Sequence, residues 1–129
     1  MNLPKMLAIP AVILALAACG NFEWFPKTVD TTPPNVTASI LGKAPFTNTT
    51  THVSAFPATV VFAANEPATI YFTTDNSSPS TSSPSVIIAS TVGVNGPTII
   101  SNTILKYFGI DATPQKNQSA TQIVNIKSP

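Results

Sequence analysis

The chain has 129 residues, 43% of them hydrophobic and only 9% charged, with six lysines, no arginine and a formal net charge of +1. That length suits one small domain rather than two, and a near-neutral surface without arginine excludes the phosphate neutralisation on which nucleic-acid binding rests. The hydrophobic content is that of a globular chain rather than a disordered one, and thirteen prolines fit short strands divided by punctuated loops.

Met1 to Leu7 carries one positive charge, Lys5, and Met6 to Ala18 is an apolar run of thirteen residues. A membrane-spanning helix needs about 20 apolar residues and the centre of a secretory signal about 7–15. Residues 1–18 are therefore expected to be a signal helix for export. Leu16-Ala17-Ala18-Cys19 closes it with small residues and the chain's one cysteine, and this quartet resembles the bacterial lipobox. The resemblance implies cleavage before Cys19 and a diacylglyceryl group on its thiol. With an N-acyl chain, that is the regime of stable anchoring. The partner implied is the membrane, through the lipid on Cys19, and the location is the bacterial cell envelope. Gly20 stands where Asp would retain a lipoprotein at the inner membrane, so the same resemblance points to the outer membrane. The alternative is an incidental thiol beside an ordinary cleavage site. A single cysteine forms no disulfide within the chain, so core packing alone has to hold the domain.

Residues 19–34 are expected to be a lipid-anchored tether, with Thr31-Thr32-Pro33-Pro34 as its stiff polyproline-like end. Phe22, Trp24 and Phe25 either seat the tether at the membrane–water interface or pack back on the domain. Residues 35–129 then read as β almost throughout. Val36, Ala38 and Ile40 alternate with Thr37, Ser39 and Leu41 in a first strand ending at Gly42. Lys43 to Pro57 is turn-rich and predicts a loop or an irregular edge strand. Thr59 to Ala64 predicts a central strand, apolar on both faces and paired through an Asn65-Glu66-Pro67 turn to Ile70-Tyr71-Phe72. Val60, Phe62, Ile70 and Phe72 are the main core candidates.

Asp75-Asn76-Ser77-Ser78-Pro79 supplies side chains that hydrogen-bond their own backbone and stop the ladder, and Ser77 to Ser85 is a surface Ser/Pro/Thr cluster. Val86 to Ala89 and Thr98 to Ile100 predict two more strands, separated by Gly93-Val94-Asn95-Gly96-Pro97. Thr103 to Asp111 is a long strand of ambiguous alternation, since Leu105 and Tyr107 share one face while Ile104, Phe108 and Ile110 share the other with Lys106; the favoured reading has Leu105 and Tyr107 inward and Lys106 solvated. Ala120 to Ile126 is the last, with Val124 and Ile126 inward. About seven short strands without a helical period predict an all-β, immunoglobulin-like or fibronectin III-like sandwich, with a barrel as the alternative.

Ala64-Asn65-Glu66-Pro67-Ala68-Thr69-Ile70-Tyr71-Phe72-Thr73-Thr74-Asp75, and later Thr103-Ile104-Leu105-Lys106-Tyr107-Phe108-Gly109-Ile110-Asp111, carry a family resemblance. They resemble the chitobiase/β-hexosaminidase C-terminal type of immunoglobulin-like domain from about Pro34 onward. The chain departs from that pattern at Asp75-Asn76, where the family favours Asp-Gly, and around Thr113-Pro114-Gln115-Lys116-Asn117. Asn76 can still adopt the left-handed conformation, so only the second departure affects a turn's geometry. The resemblance implies a module that accompanies glycoside hydrolase domains without supplying their acid pair.

The chain carries little catalytic chemistry. His52 is the one histidine and lies in a polar stretch with no acid near it in sequence. Asp75, Asp111 and Glu66 either converge on a hard cation such as calcium or serve as turn and solvated residues. Their spacing is not that of a calcium loop, so no metal and no cofactor is assigned. Tyr71, Tyr107, Phe46 and Phe56 either stack on sugar rings or pack in the core. Asn-X-Ser/Thr triplets at Asn35, Asn48, Asn76 and Asn117 read as accidents of polar loops. The expected function is that of a non-enzymatic, membrane-anchored module binding a protein or polysaccharide, or giving structural support, at the envelope. Asp75, Asn76, Ser77 and Ser78 are the binding-loop residues. The alternative is a non-catalytic subunit of a carbohydrate-active enzyme.

Overall fold

The computed structural model describes residues 28–47 and 50–129. The signal segment, Cys19 with its expected lipid, and Phe22, Trp24 and Phe25 lie outside the described residues. The described chain forms eight strands: β1 (Val36–Ile40), β2 (Thr51–Val53), β3 (Ala58–Ala64), β4 (Ala68–Thr73), β5 (Ser85–Ile88), β6 (Val94–Ile99), β7 (Thr103–Asp111) and β8 (Gln122–Lys127). They make a three-stranded sheet, β1-β3-β6, and a five-stranded sheet, β2-β8-β7-β4-β5. Neighbours are antiparallel except β2, which runs parallel to β8. The result is the expected all-β immunoglobulin-like sandwich, with β2 as an additional strand in the stretch read as an irregular edge.

Alternation decides which side of each strand is buried. Ala58, Val60, Phe62 and Ala64 of β3 are buried while Thr59, Val61 and Ala63 between them are half-exposed, as a period of two requires of a strand covered on one face. Val36, Ala38 and Ile40 of β1, Leu105 and Tyr107 of β7, and Val124 and Ile126 of β8 point inward as their patterns predict. Between the sheets, the Phe62 ring stacks 5.4 Å from Phe72 and meets Tyr107 edge-on at 5.3 Å. Such offset and edge contacts suit the quadrupoles of aromatic rings.

Two local expectations are corrected. β3 does not pair with β4: the Asn65-Glu66-Pro67 connection carries the chain from one sheet to the other. Ile70 therefore faces Val60 and Phe62 across the core instead of lying beside them in a ladder. A hairpin and a sheet-crossing arch put the same residues inward, so alternation alone does not separate them. The second correction concerns Val94 to Pro97, expected as a turn and found inside β6. The β3–β6 register slips by one residue between Thr59 and Val61, so the bulge places Gly96 and Pro97 opposite Val60. β6 is an edge strand, where a proline's missing N–H costs no ladder bond. Gly96 lies against the Phe62 ring, and a Cβ there would collide with it.

The short connections define two ends of the sandwich. Ala68 pairs with both Asp111 and Ile88, so the 65–67 crossing, the end of β7 and the end of β5 lie together at one end. Thr73 pairs with Lys106, which puts the loop that follows β4 at the other end, with Ile100 and the C-terminus. Phe62→Ala is expected to lower the unfolding free energy by about 3–5 kcal/mol, in a fold whose total is typically about 5–15 kcal/mol. Urea titration of this variant checks the placement, and a loss below about 1 kcal/mol would put the ring outside the core.

Candidate functional site

The loop read as the binding segment leaves β4 at the end opposite Asp111. Asp75 caps it from within: its Oδ1 accepts the Ser77 backbone N–H at 3.0 Å and the Ser77 hydroxyl at 2.6 Å. Asn76 takes a positive φ of 69°, the left-handed conformation that asparagine tolerates better than most residues. The turn is locked from both sides, as Lys106 Nζ donates to the Asn76 carbonyl at 2.6 Å and Thr73 Oγ1 to the Ser77 carbonyl at 2.7 Å. Hydrogen bonds from Ser77 hold the Asp75 carboxyl below the ordinary carboxylate value, and the nearby Lys106 ammonium adds to that. Asp75, Asn76, Ser77 and Ser78 are all exposed. The loop is thus a preformed polar projection, with peptide groups and hydroxyls available to a partner.

A second polar cluster lies at the other end. Carboxylate oxygens of Asp30, Glu66 and Asp111 all come within 4.8 Å of one another. Asp111 is only 1% exposed, yet its lone pairs are well occupied. Oδ1 accepts from the Thr113 N–H (3.1 Å), the Thr113 hydroxyl (2.7 Å) and the Asn117 N–H (3.2 Å), and Oδ2 accepts from Asn117 Nδ2 at 2.8 Å. Burial pushes the Asp111 carboxyl up, but the bonds from Thr113 and Asn117 outweigh it and hold it below the ordinary value. Asn117 Nδ2 also donates to the Asp30 carbonyl at 2.9 Å, which staples the N-terminal segment to the domain. Partial desolvation, then the charges of Asp30 and Asp111, push the Glu66 carboxyl up.

Three acids this close offer hard oxygen ligands of the kind a divalent cation takes. The pair Glu66 and Asp111 also invites comparison with the acid and nucleophile of a glycosidase. A buried carboxylate committed to four donors is, however, a structural acceptor with no free path to a substrate carbon. Asp75 stands at the far end of the sandwich from this cluster. Both expected aspartate turns form, and the convergence of acids joins Glu66 and Asp111 with Asp30.

His52 lies in β2, where the Thr47 N–H donates to its Nε2 at 3.3 Å and the Thr50 hydroxyl sits 2.8 Å from the same atom. Its ring leans on Phe46 with centroids 4.5 Å apart. Its partners are threonines rather than a carboxylate, which is not a nucleophile-activating arrangement. Of the four candidate stacking rings, Tyr107 is in the core, where burial pushes its phenol up to about 12 against a lowering backbone hydrogen bond with Ala38. Phe46 and Phe56 pack against the core, and Tyr71 alone faces outward, stacked 5.4 Å from Phe108 on the outer face of the five-stranded sheet.

Comparison with known families gives one match. The model for the chitobiase/beta-hexosaminidase C-terminal domain covers residues 53–123, more than half of the chain. The chain belongs to this family. The family is a non-catalytic, immunoglobulin-like module of glycoside hydrolases. No curated protein and no solved structure matches the chain. The matched span runs from the end of β2 into β8, so it leaves out β1, although β1 completes the three-stranded sheet by pairing with β3 along its whole length.

Asp30 is the one residue of the acidic cluster that the sequence reading left in the tether. No local signal in the sequence points to it, because Asp30 lies 81 positions from Asp111. Glu66 is protonated in folded and unfolded chains alike well below its ordinary value of 4.5, and it becomes charged against Asp30 and Asp111 once the pH passes its raised folded value. A raised folded pKa adds stability that is present at low pH and lost as the pH rises. Glu66→Gln cannot acquire the charge, so it is expected to melt higher than the parent at about pH 7 and to lose that advantage at about pH 4. Asp111 has the opposite sign: its contribution is present above 3.8 and lost as the pH falls through its lowered folded value. Thermal melts of parent and Glu66→Gln across this range check the first sign, and melts of the parent and Asp111→Asn carried below pH 3.8 check the second.

Proposed function

We propose that the protein is a lipid-anchored, non-enzymatic module of the bacterial cell envelope that presents the Asp75–Ser78 loop to a protein or polysaccharide partner. The observation that carries this reading is the opposition of the two ends. The described chain begins at Thr28 beside Thr113, Pro114 and Gln115, whereas Asp75 to Ser78 leave β4 at the far end. With Cys19 acylated, the loop points away from the membrane, where an exposed turn on a rigid sandwich is well placed for contact. Membership of a family of non-catalytic modules supports the absence of turnover, as does the occupation of the Asp111 carboxylate by four donors.

The family's place among glycoside hydrolases favours a second reading, a non-catalytic subunit of a carbohydrate-active enzyme. Co-purification separates the two. Recovery with a catalytic glycoside hydrolase supports the accessory role, and crosslinking in cells to a non-enzymatic envelope protein supports the first.

Cys19→Ser is expected to abolish acylation and release the protein from the membrane fraction while leaving its melting temperature unchanged. Mass spectrometry of the wild-type protein checks this, since an unacylated chain cleaved elsewhere would refute anchoring. Replacing Asn76-Ser77-Ser78 by a shorter Asp-Gly turn is expected to keep the fold and weaken partner capture. Glycosidase turnover that disappears in Glu66→Gln or Asp75→Asn would overturn the non-enzymatic reading.

A further inference from the structure

The outer face of the five-stranded sheet holds an aromatic ring that the core does not use. Tyr71 of β4 is the direct cross-strand partner of Phe108 on β7, and their rings stack with centroids 5.4 Å apart and planes 25° apart. The two rings therefore stand side by side, and Tyr71 screens Phe108, which is only 3% exposed. On its other side Tyr71 is opposite Ser85 of the edge strand β5. A serine side chain is too short to cover a ring. Ile87, the diagonal neighbour on that strand, is 72% exposed and so is not pressed against it. One face of the Tyr71 ring is thus covered by Phe108 while the other opens towards the sheet edge, and its hydroxyl has no hydrogen-bond partner among the described residues. The other phenyl and phenol rings described are placed differently, since Phe46, Phe56 and Phe72 pack against the core and Phe62, Tyr107 and Phe108 are buried.

The loop read as the contact segment returns to this same place. It leaves β4 after Thr73 and comes back at Pro84, whose carbonyl accepts the Phe72 N–H at 3.0 Å, and Ser85 follows beside Tyr71. Hydroxyls border the open ring face. Thr69 and Thr73 share the outward side of β4 with Tyr71, and Ser85 is exposed across from it. Free charge is absent from this border, because the Lys106 ammonium beside Thr73 is turned to the Asn76 carbonyl and the Asp75 carboxylate takes the N–H and hydroxyl of Ser77. A ring with one open face, hydroxyls around it and no free charge suits a neutral sugar, whose C–H face packs on an aromatic face while its hydroxyls exchange hydrogen bonds with serine and threonine. We propose that Tyr71 is the stacking platform for a neutral polysaccharide, held between the open ring face and the hydroxyls that border it. The proposal rests on the reading of the Asp75–Ser78 loop as a contact segment, assigns its partner to the carbohydrate class, and extends the contact along the sheet to Tyr71.

The full chain, purified in detergent, is tested by depletion on insoluble cellulose, chitin and mannan, neutral glycans that differ in their substituents, with alginate as the charged control. The expected result is retention on at least one neutral glycan, with affinity lowered roughly tenfold by Tyr71→Ala and by Ser85→Leu but less than about threefold by Tyr71→Phe. Ser85→Leu lays a side chain over the open face and keeps the Tyr71–Phe108 stack, so its loss of binding separates the platform from a structural role of the ring. Circular dichroism melts of each variant check that the sandwich is preserved. Retention on alginate alone, retention that Tyr71→Ala and Ser85→Leu leave unchanged, or no retention on any neutral glycan overturns the proposal. With no glycan retained, crosslinking to an envelope protein that the Asp-Gly replacement of Asn76-Ser77-Ser78 abolishes leaves the loop reading intact with a protein as its partner. Retention that depends on Tyr71 and Ser85 but not on that replacement supports the platform and overturns the loop reading.

Discussion

The packing of Phe62 between the two sheets is the contact on which the rest of the fold depends. A chain with one cysteine has no internal crosslink, so the cohesion of two sheets rests on the apolar layer they share. Phe62 sits at its centre, against Phe72 and Tyr107 of the facing sheet, with Val60, Ile70, Leu105, Val124 and Ile126 fully buried around it. Its demands reach outward. The ring needs Gly96 beneath it, and the bulge opposite Val60 provides the extra residue that lets Gly96 and Pro97 lie there. Gly109 plays a similar part on β7, where an added Cβ would meet Val36 of the facing sheet. Close approach of backbone to side chain across a sandwich is a typical reason for glycine inside a strand.

Asp111 does for one end of the molecule what Phe62 does for the centre. Four donors from Thr113 and Asn117 fold the chain after β7 into a turn in which Lys116 takes a positive φ of 56°. The Asn117 amide then reaches the Asp30 carbonyl and fastens the segment leading into β1. The cost is the gathering of three carboxylates, which adds to partial desolvation in raising the affinity of Glu66 for its proton. The two shifts have different origins: against its burial, hydrogen bonds from Thr113 and Asn117 lower Asp111, whereas partial desolvation, then the charges of Asp30 and Asp111, raise Glu66.

Polar chemistry is thereby divided between two ends. At one, carboxylates are used to hold the incoming chain. At the other, a turn held by Asp75, Thr73 and Lys106 leaves its outer atoms open to solvent. A sandwich with this division can be fixed at one end and read at the other. That arrangement fits a family of modules that support or bind rather than catalyse.

Much of this was legible in the sequence because it depends on local physics. Alternation specified the inward faces of β1 and β8, while β3 and β7, apolar on both faces, left theirs to a choice between two sets, and Asp75-Asn76-Ser77 announced its turn through residues that bond to their own backbone. The family resemblance likewise rested on the strand and turn residues from Ala64 to Asp75. What tertiary structure alone decided depends on which sheet a strand joins. The same inward residues serve a hairpin or an arch between sheets, so the separation of β3 from β4 was not written in their pattern. Gly96-Pro97 has the composition of a turn, and only an unpaired edge and the volume of the Phe62 ring make it part of a strand. Asp30 is 81 positions from Asp111 in the chain, and no local rule joins them. Their proximity follows from the Asn117 amide, which only the folded chain brings within reach of both.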